Sequence, residues 1–484
     1  MEKDKFYITT TLPYVNANPH LGHALELVEA DIVARFHREI GEEVFFNTGT
    51  DEHGLKIYRK AKENGEIVQN YCDLCSENFR KLQQALNLSN DAFIRTTDNH
   101  HKEAAREFWR RSLSAGDIYK KNYKIKYCVG CELEKTDSDL ENGKCPDHPS
   151  LEIEIIEEEN YFFRFSKYKD RLIDFYEKNP FFVLPEKRFN EAKKFVEGDI
   201  EDFSVSRLKE KMPWGVPVPD DQDHVMYVWF DALVNYISTL GWPENEKKFN
   251  AFWPGIQLAG KDNLRQQAVM WQAMLMSVGL PNTVQVVIHG FITSDGQKMS
   301  KTLGNVINPF DIVDSYGTDA LRYYLAREVS PFEDSDFTEE KFKEAYNANL
   351  ANGLGNLFSR IMKMFIAYEV SDNYSGFNFK SFDEMIKSEN YKEYRELLRV
   401  FEFGKVMDII WEKIGDIDKR IQKTQPFKLI KTDKEKAINE VGELVASLWD
   451  ISNLIVPFMP ETSQKIKEAI KANKMPEPLF LRKE

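Results

Sequence analysis

Two short segments, Pro19-His20-Leu21-Gly22-His23 and Lys298-Met299-Ser300-Lys301-Thr302, carry residue types suited to chemistry on a polyphosphate. The two histidines stand three apart at the mouth of a predicted helix. Backbone N–H groups and the helix dipole favour an anion there, and imidazoles can donate to phosphate oxygens as charge builds at an α-phosphorus. Gly22 between them would let a planar base or ribose approach the backbone. In the second segment, Lys298 and Lys301 follow the turn-forming stretch Ser294-Asp295-Gly296-Gln297, and Gly304 and Pro309 bound the far side. A loop of that kind can close over a triphosphate and set an ammonium on leaving pyrophosphate. Taken singly, the first segment reads as a helix cap and the second as a solvated loop. Together, in this order, they point to adenylyl transfer from ATP.

The elements that must position them alternate between strand and helix. Phe6 to Leu12 reads as a buried strand. A loop follows, and Asn18-Pro19 is suited to an N-cap and first helical position. Leu21, Leu25, Val28, Ile32 and Phe36 then recur at helical spacing until Gly41. Val44 to Asn47 completes a βαβ unit, so a parallel sheet is expected, with ligands at the carboxyl ends of its strands. Strands at Met226 to Phe230, Gln257 to Ala259 and Val284 to Ile288 are expected to continue it. The fold class is therefore α/β, a Rossmann-type sheet in residues 1–115 and 216–290 split by a connective insertion in 116–215. A region carrying the lysine loop is expected in 291–340, and an α-helical bundle in 341–484.

A chain of 484 residues can bury several cores. Its net charge of −14 argues against a wholly nucleic-acid-binding surface, yet leaves room for a local basic face. No apolar run is long enough to span a membrane. No signal peptide is apparent, so a cytoplasmic location and no membrane partner are expected. The five cysteines, odd in number, suggest metal or free thiols rather than disulfides. Cys128-Val-Gly-Cys131 and, thirteen residues on, Cys145-Pro-Asp-His148 have the spacing of a closed, structural tetrahedral zinc site. Cys72 and Cys75 lie on a predicted helix from Ile67 to Leu86 without a second pair and read as ordinary helix cysteines.

Pro19–His23 resembles the HIGH motif and Lys298–Thr302 the KMSKS motif of class I aminoacyl-tRNA synthetases. Further segments resemble the methionyl-tRNA synthetase family over essentially the whole chain. They are Leu12-Pro13-Tyr14-Val15-Asn16, Gly49-Thr50-Asp51-Glu52-His53-Gly54 and Tyr227-Val228-Trp229-Phe230-Asp231-Ala232 with Tyr236. They continue in Gly260-Lys261-Asp262, His289-Gly290-Phe291 and Asn349 to Asn356.

The resemblance implies a bacterial-type enzyme that activates L-methionine with ATP and Mg2+, then charges tRNA(Met), the initiator included. It implies His20, His23, Lys298 and Lys301 as catalytic groups, with Gly22, Glu26, Gly260 and Asp262 also at ATP. Leu12, Tyr14, Asp51, Trp229, Ala232, Tyr236 and Gln267 would hold methionine. Asp51 can hold the ammonium by a charge-assisted hydrogen bond, and aromatic edges make favourable contacts with a thioether. The same aromatics would equally suit an ordinary core. Gln266 and Gln267 stand where the family usually has an aromatic residue and a histidine, and Leu233 where some members have proline.

Relatives charging Ile, Val or Leu carry a larger editing insertion, in line with the 1–3 kcal/mol or so that a methyl group offers for discrimination. The cysteine enzyme uses an active-site zinc that these cysteines are not placed to supply. Related synthetases often have a fourth Cys at the knuckle, where this chain has His148.

By the same resemblance, Asn356, Arg360 and Phe427 match anticodon-binding positions, Phe427 standing for a stacking tryptophan. The chain ends soon after the bundle, and a monomer is expected. Two competing readings are a small-molecule adenylyltransferase and a non-catalytic RNA-binding paralogue. The helical and knuckle regions count against the first, and the intact histidines and lysines against the second.

Overall fold

The computed structural model describes residues 3–484 except 136, 300–303 and 476, together with all side chains there but those of residues 123, 125, 134, 138, 156 and 298. Its centre is a six-stranded, wholly parallel sheet. The spatial order is Ala92–Arg95, Glu43–Thr50, Lys5–Thr10, Ile256–Gly260, Gln285–His289, Val183–Leu184. From Lys5–Thr10 the chain moves outward to one edge and later returns on the other side of that strand. The order therefore reverses between Lys5–Thr10 and Ile256–Gly260, which opens a crevice at their carboxyl ends.

The first helix runs Leu21–Glu39 and buries Leu21, Leu25, Val28, Ile32 and Phe36. It starts later than Asn18-Pro19 suggested, because His20 is its N-cap. Asn18 instead accepts a hydrogen bond from Asn78 Nδ2 (3.1 Å). Val183–Leu184, inside the residues read as the insertion, supplies the sixth strand. So short a run carries no periodicity, and its pairing with Gln285–His289 makes it a strand. Met226 to Phe230 is not a sheet strand. Asp221–Met226 belongs to a small antiparallel sheet, and Val228–Ala232 turns into a short helix. A buried apolar run of this length fits either structure equally well.

The insertion is built on a long antiparallel hairpin, Ile118–Cys128 with Glu154–Phe163. The carboxyl-terminal part is helical, with long members Asn356–Ala367, Phe403–Thr424, Lys434–Leu454 and Pro460–Ala472. A π-helical stretch, Tyr346–Gly355, leads into it. Lys392–Arg399 and Phe403–Thr424 are separate helices, divided where Phe401 adopts a positive φ of 61°.

One apolar core joins the sheet to this bundle, running from Ile8 and Leu25 through Leu321 to Leu448. A second covers the other face of the sheet around Tyr7, Phe108, Trp109 and Trp271. At the first junction sits Arg322, fully buried. It pairs with Asp31 of the first helix (2.7 Å) and donates to the carbonyls of Leu86 (3.1 Å), Pro457 (2.8 Å) and Phe458 (2.8 Å). Burial alone would push Asp31 up, but Arg322, Arg35 and Ser89 hold it below the usual carboxylate range. No helix of the described residues is long and apolar enough to cross a membrane.

Removing Arg322 would break a buried ion pair, leave Asp31 with only Arg35 and Ser89, and take a donor from three carbonyls. Arg322→Met is expected to lower the unfolding free energy by about 3–5 kcal/mol, read by urea denaturation. A change within about 0.5 kcal/mol would contradict a supporting role for the pair.

Candidate active site

The mouth of the first helix is closed by a reciprocal cap. His20 Nδ1 accepts from Gly22 N, and His23 Nδ1 accepts from His20 N, both at 3.1 Å. The rings stack 3.8 Å apart. A neutral imidazole that accepts at Nδ1 carries its proton on Nε2, so both rings keep an N–H donor away from the backbone. Burial, then the neighbouring His20, pushes His23 well below the usual histidine range. Gly22 stands against the His20 ring. A Cβ there would lie 3.0–3.1 Å from the His20 ring, crowding the cap itself.

The lysine segment reaches the same place. Met299 Cε lies 3.8 Å from where that Gly22 Cβ would stand. Beyond it, Ile307 O accepts from Leu21 N (3.1 Å). Lys301, Ser300 and Thr302 lie outside the described residues, as does the Lys298 side chain. Their flanks are thus both seated on the first turn of the histidine helix. Beside it lies a cleft of about 460 Å³ lined by Asn18, Pro19, Asn78, Gly304 and Phe310 among others.

At the carboxyl ends of the first two strands, two backbone hydrogen bonds zip the following loops together. Asp51 N donates to Pro13 O (3.0 Å) and Val15 N to Asp51 O (3.2 Å). This sets the buried Asp51 carboxyl beside Tyr14, whose ring meets Trp229 edge-on at 6.3 Å. Ala232 and Tyr236 are buried further along, and the Gln267 amide lies beside the Tyr236 hydroxyl. Leu12 is half-buried just past the first strand. Among the described residues, Tyr14 Oη, Trp229 Nε1, Gln266 Oε1 and Gln267 Oε1 are buried without a hydrogen-bond partner. Gln266 and Gln267 open a π-helical turn, Gln266–Met270, a local geometry frequent at functional sites.

Behind Asp51 lies a polar cluster absent from the expected site residues. Asp231 accepts from His53 Nδ1 (2.7 Å) and His101 Nε2 (2.9 Å), and His101 Nδ1 meets Ser238 Oγ at 3.0 Å. Burial opposes the Asp231 charge, but His53 and His101 bring its pKa down to about 2. That charge has a consequence in front. Burial and then Asp231 push Asp51 well above its ordinary range, despite bonds from His53 N and Thr96.

The nucleotide side of the crevice is organised by Glu26. Its Oε1 accepts from Thr11 N and Thr11 Oγ1, both at 2.6 Å, and its Oε2 accepts from His289 Nε2 (3.0 Å). His289 Nδ1 donates to Gly290 O (2.7 Å). Both ring nitrogens face acceptors, so His289 is held as an imidazolium. Burial opposes this, but Glu26 and then Glu29 raise its pKa to about 9. Glu26 thus spends both oxygens on the protein. Gly260 ends the neighbouring strand, and a Cβ there would press on Asp262 Oδ1 at 2.9 Å. The Asp262 side of the turn is exposed.

At the tip of the insertion, Cys128, Cys131, Cys145 and His148 bring their ligand atoms within 4.8 Å of one another. The cysteines are free thiols, and Cys131 Sγ lies 3.4 Å from Cys145 Sγ and 3.2 Å from His148 Nδ1. Three sulfurs and one imidazole at this spacing fit a closed tetrahedral metal site. Gly130 is required there, since a Cβ would lie 2.4 Å from the His148 ring. Cys72 and Cys75 lie apart from the cluster on helix Val68–Ala85, with Cys72 Sγ 3.6 Å from Glu52 O.

The knuckle is wired to the pocket through the buried Glu132. Its Oε1 accepts from Lys56 N (2.6 Å) at the start of helix Leu55–Glu63, which has no side-chain cap of its own. The Tyr127 hydroxyl donates to its carboxylate and the Tyr227 hydroxyl to its carbonyl.

With this geometry, the family model described as tRNA synthetases class I (M) matches residues 6–152 and 149–362. The methionine–tRNA ligase of Thermotoga maritima is 41% identical over 484 residues, covering 98% of this chain and 76% of that protein. The chain belongs to the class I methionyl-tRNA synthetase family. The methionine–tRNA ligase of a Nostoc species is 40% identical, covering 96% of this chain and 89% of that one. Mycobacterium tuberculosis methionyl-tRNA synthetase in complex with methionyl-adenylate superposes with a TM-score of 0.89 at 36% identity, covering 98% and 94% of the two chains.

In the bundle of this synthetase, Asn356 is exposed at the start of its helix, and Arg360 follows one turn later. Phe427 is 46% exposed, just past the left-handed Gln425 (φ 45°) that turns the chain after Phe403–Thr424. Asp231, His101, Glu132 and His289 are the groups that sequence reading passed over. Asp231 and His289 lie inside recognisable segments, but their partners come from distant parts of the chain.

Two outcomes are expected. Gly130→Ala should purify with well under one metal ion per chain by elemental analysis; a full complement would contradict the packing argument. His289 contributes stability that is fully present below pH 6.5 and is lost as pH rises through about 9. His289→Gln should therefore flatten the fall in melting temperature between those pH values, and an unchanged profile would exclude the imidazolium.

Proposed function

We propose that the chain joins L-methionine to ATP, forming methionyl-adenylate and pyrophosphate, and then transfers methionine to the 3′ end of tRNA(Met), the initiator included. The observation that carries this reading is the convergence of the two histidine donors, the lysine-loop flanks and Asp51 around one crevice.

Burial, then Asp231, holds Asp51 toward its neutral form. A substrate ammonium offers the charge that restores its carboxylate, so the pocket selects an amino group rather than any apolar ligand. Leu12, Tyr14, Trp229, Ala232, Tyr236 and Gln267 would enclose the side chain. His20 and His23 each offer an Nε2–H to phosphate oxygens as charge accumulates at the α-phosphorus. The low pKa of His23 keeps it a neutral donor.

Lys298 and Lys301 would receive the leaving pyrophosphate. Gly22, Gly260 and Asp262 would border the nucleoside, with Glu26 acting through Thr11 and His289. Attack by the methionine carboxylate is direct, and no protein nucleophile is needed. Mg2+ accompanies ATP as part of the substrate and neutralises phosphate charge.

Zn2+ suits Cys128, Cys131, Cys145 and His148, where it would be structural. With no open position left, its effect on the pocket would run through Glu132. Asn356, Arg360 and Phe427 would read the anticodon. The unit is proposed to be a cytoplasmic monomer, with residues 1–115 and 216–290 as catalytic domain, 116–215 as insertion, 291–340 as loop and stem-contact region, and 341–484 as the anticodon-binding part.

Amino-acid-dependent ATP–pyrophosphate exchange tests the reaction and the pocket together. Across the twenty amino acids, exchange should be confined to methionine, and Asp51→Asn should lower kcat/KM for methionine by about 100-fold or more. Exchange with another amino acid instead would overturn the substrate, and a silent Asp51→Asn would overturn its role.

A further inference from the structure

We infer that Asp418 is a positioning residue that sets the anticodon specificity of Arg360; this rests on the reading of Asn356, Arg360 and Phe427 as the anticodon face. Asp418 lies on the Phe403–Thr424 helix, facing the Asn356–Ala367 helix. Its Oδ1 accepts from Arg360 Nη1 and its Oδ2 from Gln422 Nε2, one turn further along, at 2.6 Å. The same helix then ends at Gln425, whose left-handed turn presents Phe427. One carboxylate therefore ties the proposed base-reading arginine to the element that carries the proposed stacking ring.

An arginine has many rotamers, and an untethered one must be ordered each time RNA binds. Held by Nη1, the guanidinium keeps its remaining N–H groups aimed in a fixed plane, as hydrogen bonding to a base edge demands. The carboxylate also places negative charge on a face that RNA approaches. It disfavours generic phosphate contacts by Arg360 and leaves base-edge contact as the productive mode. Side-chain exposures of 35% for Arg360 and 36% for Asp418 leave the pair open to such a ligand. At that exposure an ion pair contributes little to stability.

The test compares aminoacylation kcat/KM for tRNA(Met) with that for tRNA(Met) carrying one substituted anticodon base. Asp418→Asn keeps the shape and the Gln422 contact but removes the charge. It should reduce the ratio by about tenfold or more, through KM for tRNA, with the melting temperature as the check on folding. Arg360→Ala should lower the ratio at least as far, and adding Asp418→Asn to it should have no further effect. A wild-type ratio in Asp418→Asn alongside a reduced one in Arg360→Ala overturns the inference and leaves the face intact. Wild-type ratios in both Arg360→Ala and Phe427→Ala overturn the reading of the face and the inference with it.

Discussion

Two parallel strands, Lys5–Thr10 and Ile256–Gly260, end side by side although the whole insertion lies between them in the chain. The crevice at the carboxyl end of the sheet depends on that adjacency. Because the strand order reverses there, the loops after these strands diverge and leave a crevice rather than packing over one another. Thr11, the histidine helix and the Tyr14 loop enter it from one strand, and Gly260 from the other. Glu26 and His289 then bind the crevice from the side, joining the first strand's end to the next strand out.

Within this frame the chemistry rests on buried charges that constrain each other. Asp231 is kept ionised by two histidines and thereby makes Asp51, in front of it, costly to ionise without a cationic ligand. A pocket lined only with aromatics would admit any apolar group of the right size. In the proposed reading, the paired acids make an ammonium part of the fit. The same logic operates at the helix mouth. Each histidine spends its Nδ1 on the backbone, which fixes where its proton must be.

More remote parts of the chain support these loops through single buried contacts. Glu132 carries the order of the Cys3His knuckle to the start of the helix after Asp51, supplying a cap that Gly54 lacks. Arg322 holds the histidine helix against the bundle through Asp31 and the Pro457–Phe458 carbonyls. The histidine helix and the helical domain consequently share one core. Such contacts are strong only while both partners stay buried and paired.

Local spacing was enough to read the parallel α/β architecture, the paired histidines at the mouth of the first helix, the Cys3His cluster and the helical tail. Each is written in a short run whose periodicity or ligand spacing has a direct physical meaning. His148 was legible because Cys-x-x-Cys and Cys-x-x-His have matched spacings, and the geometry brings its Nδ1 into the cluster. Tertiary structure alone decided that Val183–Leu184 is a sheet strand, that Met226 to Phe230 is not one, and that His20 rather than Asn18 caps the first helix.

It alone paired Asp231 with His53 and His101, Glu26 with His289, and Asp418 with Arg360. These depend on which distant segments meet, and residue types along the chain carry no record of that. The sequence by itself determined which chemical groups are present and the reaction they suit. The tertiary structure decided their protonation, orientation and partners, because burial and neighbouring charge are properties of the packed molecule.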